Sequence, residues 1–133
     1  RVGWGYGPEK LIYALNQVKP PFNINRAALF AAAASINDVK WLNKEIKHVN
    51  RWSKIFFKNF KNLNIETNFS YGNFLLLNFN KIKKNSKNIF LKLARKGVLV
   101  RKMDVYKIKN SLRVTIGSNK ENKKFIKILK QVI

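Results

Sequence analysis

Apolar positions along the chain recur with two different periods. In the first half they follow the helical one. Behind Pro8, Leu11, Ile12, Leu15 and Val18 mark one face of a helix, and Lys19-Pro20-Pro21 ends it because consecutive prolines cannot continue the hydrogen-bonded turn. A second helix is predicted from about Asn25 to Ile36. Its centre, Ala27-Ala28-Leu29-Phe30-Ala31-Ala32-Ala33-Ala34, is small and apolar all round, so it is expected to be covered by another part of the protein or a partner subunit. Asn37-Asp38 predicts the start of a long third helix, with Asp38 placing negative charge at its N-terminus. There Lys40, Lys44, Lys47, Arg51, Lys54, Lys58 and Lys61 alternate spacings of four and three and form a basic stripe. Leu42, Ile46, Val49, Phe56, Phe60 and Leu63 form an apolar one, with Trp41, Trp52 and Ile55 beside it.

Beyond Asn62 the pattern turns mixed. Short strands are expected at Ile65–Phe69, Asn73–Phe79, Val98–Arg101 and Leu112–Gly117. A helix from Ser86 to Lys96 ends on Gly97 as a left-handed cap, and Ser118 with Glu121 has the spacing of a capping box before a terminal helix that turns Phe125, Ile126, Leu129 and Ile133 inward. The opening run Val2-Gly3-Trp4-Gly5-Tyr6-Gly7 is expected to be a strand leaving a sheet formed elsewhere. The pattern describes an α/β chain: an α+β module at 38–133, with the long helix as its connection, preceded at 1–37 by the tail of another domain.

Composition narrows the chemistry. With 133 residues, 28 basic and 6 acidic side chains, the net charge is +22. The absence of cysteine excludes disulfides and thiolate metal sites and fits a reducing, cytoplasmic setting. One histidine and six carboxylates make a metal centre a poor expectation. No apolar run is long enough to span a membrane as a helix. Lysine, asparagine, isoleucine and phenylalanine are all encoded by A/T-rich codons, so base bias alone accounts for much of the charge. The resulting field attracts polyanions non-specifically, yet no fold signature of a nucleic-acid-binding module accompanies it.

Acid–base machinery is sparse. His48 lies inside the long helix with no nucleophile beside it and is expected to be a surface or packing residue. The glycines at 3, 5 and 7 form no nucleotide-binding fingerprint. The arginines are more informative, because only six survive among 22 lysines and the planar guanidinium fork is what lysine cannot replace. Alternation in Leu112–Gly117 sends Leu112, Val114 and Ile116 to the core and Arg113 with Thr115 to the other face, while Arg101 emerges opposite Val98 and Val100. Two strand-borne guanidiniums could clamp a carboxylate or phosphate; ordinary surface arginines are the plain alternative.

The succession Arg1-Val-Gly-Trp-Gly-Tyr-Gly, Leu15-Asn-Gln-Val-Lys-Pro-Pro-Phe-Asn-Ile-Asn25, Asn73-Phe-Leu-Leu-Leu, Gly97-Val-Leu-Val-Arg101 and Leu112-Arg-Val-Thr-Ile-Gly117, followed by Glu121-Asn122, resembles the C-terminal part of the class I/II pyridoxal-phosphate-dependent aminotransferases, in particular their histidinol-phosphate branch. The resemblance covers essentially the whole chain. It implies the C-terminal portion of a fold-type I transferase, in which a small, mostly antiparallel sheet packed with helices follows the tail of the large cofactor-binding domain. It implies pyridoxal 5'-phosphate as cofactor, with Arg1 at its phosphate. It implies Arg113 and Arg101 at the acidic end of the substrate, and Asn23 in a loop reaching toward a neighbouring subunit's site. Asn73 matches a recurrent family asparagine of structural character.

The implied partners are a phosphorylated amino substrate and glutamate, within a homodimer and with no membrane. The Schiff-base lysine should precede Arg1; Ser53-Lys54 and Ser86-Lys87 lack its context, so this stretch alone is expected to be inactive. Relatives acting on aromatic amino acids or threonine phosphate, a basic nucleic-acid-binding module and a non-catalytic remnant are the competing readings.

Overall fold

The computed structural model describes residues 2–133. The chain divides into two compact units, Arg1–Asn43 and Lys44–Ile133. In the first, α1 (Glu9–Val18) and α2 (Arg26–Asn37) are joined through the turn that Pro20 and Pro21 impose. The Asn25 side chain accepts from the Ala28 N–H at 2.8 Å and so caps α2. No residue of either helix is buried. The opening segment differs from the expected strand: Val2–Gly7 has no regular structure, and Trp4 and Tyr6 are exposed. A strand exists only when a neighbour takes up its N–H and C=O groups, and this segment pairs with none among the described residues.

The long helix α3 (Val39–Asn62) starts where Asp38 accepts the Trp41 N–H at 2.9 Å. The second unit contains most of α3, β1 (Glu66–Thr67), β2 (Phe74–Asn78), α4 (Ser86–Arg95), β3 (Arg101–Lys102), β4 (Ser111–Thr115) and α5 (Asn119–Val132). The strands form one antiparallel sheet in the order β1-β2-β4-β3. Alternation along β2 and β4 buries Leu75, Leu77, Leu112 and Val114 against Phe56 and Phe60 of α3, Ile89 and Leu93 of α4, and Phe125 and Leu129 of α5. Phe125 meets Phe56 and Phe60 edge-on, at centroid separations of 5.6 and 6.1 Å. Each of these rings and aliphatic chains adds about 1.5–3 kcal/mol on burial, which is what holds the sheet to its helices.

All four strands are shorter than expected, the two edge strands most. The first covers only Glu66–Thr67 and the third only Arg101–Lys102. The alternation predicted for 98–101 still holds, since Val98 and Val100 pack against the core while Leu99 is exposed. Ladder pairing to β4 simply begins at Arg101. Gly97 ends α4 at φ +68°, as expected of a left-handed cap. The capping box at Ser118 and Glu121 forms as predicted. Asn73 contributes through its backbone, its carbonyl accepting the Ile116 N–H at 2.8 Å. No described helix is long and apolar enough to cross a membrane, and the described residues contain no cluster able to hold a metal ion.

Candidate functional site

Sheet register decides where the arginines go. Arg101 on β3 lies directly across the ladder from Arg113 on β4, which in turn lies across from Leu76 on β2. Residues directly opposite in an antiparallel pair share a face, with Cβ atoms about 4.5–5.5 Å apart. The two arginines are therefore neighbours on the sheet face turned away from the core. Both line a cavity of about 690 Å³ bounded by the 97–101 segment, the end of β4 and the first turns of α5.

Two other charged side chains line this cavity, and each is already engaged. Glu121 Oε2 accepts from the Ser118 N–H at 2.8 Å and from Ser118 Oγ at 2.7 Å. Those bonds hold its carboxyl below the ordinary value of 4.5. Lys124 Nζ donates to the Gly97 carbonyl at 3.2 Å.

Arg113 is different. Its guanidinium carbon sits 4.7 Å from the centre of the Phe74 ring, and its Nε is buried without a hydrogen-bond partner. A buried donor left unsatisfied costs about 1–3 kcal/mol. An acceptor arriving from the cavity would remove that cost. Arg101 donates through Nη2 to the Tyr106 hydroxyl, and its guanidinium carbon lies 5.3 Å from that ring's centre. Two guanidiniums thus line one cavity and could receive an anion there, since the carboxylate among its lining residues, Glu121, is engaged in its own helix cap.

The turn after β4 is fastened independently. Asn122 Oδ1 accepts the Gly117 N–H at 2.9 Å, and its Nδ2 donates to the Gly117 carbonyl at 2.8 Å. His48 Nε2 lies 2.9 Å from the same carbonyl and acts as donor to it, so the histidine is a packing residue of α3. Trp52 Nε1 donates to Asn119 Oδ1 at 2.6 Å. A Cβ on Gly117 would come within 2.8 Å of Glu121 Oε2, so the absent side chain leaves room for the cap.

Of the residues proposed from the sequence, Arg101 and Arg113 come together. Asn23 is an exposed residue of the α1–α2 turn in the first unit. Arg1 lies outside the described residues. Lys54 and Lys87 are both exposed. Sequence reasoning passed over Phe74, Tyr106 and the anchoring role of Asn122. Phe74 lies on the Arg113 face, a relation that alternation reveals once register is known. Tyr106 sits in a single 3-10 turn, Asp104–Tyr106, which has no periodic signal.

A small antiparallel sheet with helices packed on it, joined to a long helix, is a fold shared with solved aminotransferases. The solved histidinol-phosphate aminotransferase from Clostridium acetobutylicum superposes with a TM-score of 0.81 at 21% identity, covering 93% of this chain and 38% of that one. The Sinorhizobium meliloti histidinol-phosphate aminotransferase in complex with pyridoxal-5'-phosphate gives 0.77 at 17% identity, covering 90% and 33%.

The sequence model described as Aminotransferase class I and II matches residues 1–129, and the chain belongs to that family. The curated histidinol-phosphate aminotransferase of Pelagibacter ubique (strain HTCC1062) is 45% identical over 133 residues, 99% of this chain and 37% of the relative. Its counterpart in Caldicellulosiruptor saccharolyticus is 37% identical over 134 residues, 100% of this chain and 36% of the relative. The chain thus spans a little over a third of the length of the curated relatives it matches.

Proposed function

We propose that this chain is the substrate-gripping, C-terminal part of a pyridoxal-phosphate-dependent transaminase that moves an amino group between glutamate and imidazole-acetol phosphate, in histidine biosynthesis. Residues 1–37 form the tail of the large domain and 38–133 the small one. The complete protein works as a homodimer in the cytoplasm. Resemblance to the curated histidinol-phosphate enzymes supports the substrate. The observation that carries the reading is the unsatisfied, buried Nε of Arg113 in a cavity that a second arginine, directly across the ladder, also lines.

Each chain residue then has a physical task. Arg113 receives the acidic end of the substrate, its Nε gaining the acceptor it lacks. Arg101 supplies a second fork, because a phosphate or a dicarboxylate offers more acceptor oxygens than one fork can satisfy. Asn122 and Gly117 hold the end of β4, which fixes the position of Arg113. Arg1 would meet the cofactor phosphate, and Asn23 would reach a neighbouring subunit's site. The cofactor, when bound, supplies the electron sink on which amino transfer depends. No lysine in Schiff-base context lies within these residues, so the 133-residue stretch alone is inactive.

The test is Arg113→Ala in the complete gene product. Loss of a charged, bidentate contact weakens binding of the phosphorylated substrate by about 30-fold to 1,000-fold, with pyridoxal-phosphate affinity unchanged. Calorimetric titration of each separates the two, and equal loss of both removes Arg113 from the substrate site.

A further inference from the structure

Two like charges directly opposite each other on a ladder repel, and both Arg101 and Arg113 lie on a face with no core to hold them. What restrains each is an aromatic ring. Phe74 is two residues along β2 from Leu76, the residue opposite Arg113, and so on the same face, and its ring takes the Arg113 guanidinium at 4.7 Å. Tyr106, in the 3-10 turn that follows β3, takes the Arg101 guanidinium at 5.3 Å while its hydroxyl accepts from Nη2.

Resting on the anion clamp proposed above, we propose that Tyr106 is a positioning residue that holds Arg101 as the second fork and so sets the site's preference for a doubly charged anion over a singly charged one. Phe74 does the same for Arg113. The chemistry follows from what each contact uses. A ring face attracts a cation without taking any of its N–H donors. Of the five donors on Arg101, only one is directed at Tyr106, and the rest remain open to a ligand. Without Tyr106, Arg101 is an exposed, flexible side chain beside a like charge and swings away from Arg113. A monoanion needs only Arg113 and does not register that loss. A dianion needs both forks at fixed spacing and does.

The experiment uses the complete gene product saturated with pyridoxal phosphate, so that the cofactor's own phosphate site is filled, and titrates inorganic phosphate and acetate by calorimetry. Binding that Arg113→Ala abolishes defines the site. Tyr106→Leu is expected to weaken phosphate about three- to tenfold, the range expected of a cation–π contact plus one hydrogen bond. Acetate should stay within about twofold, since it draws on Arg113 alone. Tyr106→Phe keeps the ring and restores part or all of the phosphate affinity.

Tyr106 is half exposed, at 51%, and an unchanged thermal midpoint in both variants confirms that the fold is intact. Phosphate affinity unaltered by Tyr106→Leu, equal losses of phosphate and acetate, or a Phe variant as weak as the Leu variant each overturns the positioning role while leaving the clamp standing. If the unsubstituted protein binds no phosphate that depends on Arg113, the clamp itself falls, and the role of Tyr106 with it.

Discussion

Asn122 offers the most direct measure of what holds the site's floor. Its side chain is 2% exposed and grips Gly117 at both N–H and carbonyl. Replacing it with alanine deletes two hydrogen bonds worth about 1 kcal/mol each and leaves the Gly117 N–H in a half-buried turn with no acceptor. The carbonyl keeps His48 as a donor at 2.9 Å, which limits the damage on that side. The expected loss is about 2–3 kcal/mol. For a unit of this size it corresponds to roughly 10–20 °C in thermal midpoint. Asn119→Ala, which removes only the bond from Trp52, should cost about 0.5–1.5 kcal/mol. Trp52 is itself the reporter, being buried and bonded to the same turn. In a background where the exposed Trp4 and Trp41 are phenylalanine, its fluorescence during urea unfolding reads the loss directly. An Asn122→Ala variant that unfolds at the parent's urea midpoint, or no earlier than Asn119→Ala, would refute this account of the turn.

Acid should weaken the α5 cap in a defined direction. Ser118, first through its hydroxyl and then through its backbone N–H, lowers the Glu121 carboxyl below 4.5 in the folded protein. Its contribution is therefore complete above the unfolded value and disappears as pH falls through the depressed folded one. The thermal midpoint of the protein should exceed that of Glu121→Gln at neutral pH and converge with it on acidification; a gap that widens in acid contradicts the cap. Gly97→Ala forces a Cβ into a left-handed conformation at φ +68° and should cost about 1–2 kcal/mol, read as an earlier thermal midpoint. A neutral result would mean that α4 ends in some other geometry.

Helix ends and strand faces were legible in the sequence because they depend on a few adjacent residues. Asp38 caps α3, Ser118 and Glu121 form their box, and Gly97 ends α4, all through contacts spanning four residues or fewer. The opposite faces of Val114 and Arg113 follow from the two-residue period alone. The opening segment is not decided by its own pattern, for the complementary reason. Its alternating glycines and aromatics resemble a strand, but strand identity belongs to a pair, and no neighbour among the described residues takes up its backbone. The shortness of β1 and β3 has the same origin.

Local composition dictated the helices, the core-facing residues and the two arginines worth attention, since side-chain shape and backbone preference act over a turn or a pleat. Only the folded sheet decided that Arg101 stands opposite Arg113, that Phe74 and Tyr106 flank them, and that His48 and Asn122 meet on one carbonyl. Those relations join positions five to 69 residues apart. They depend on strand register and on how a short 3-10 turn sits against an edge strand, and no period along the chain encodes either.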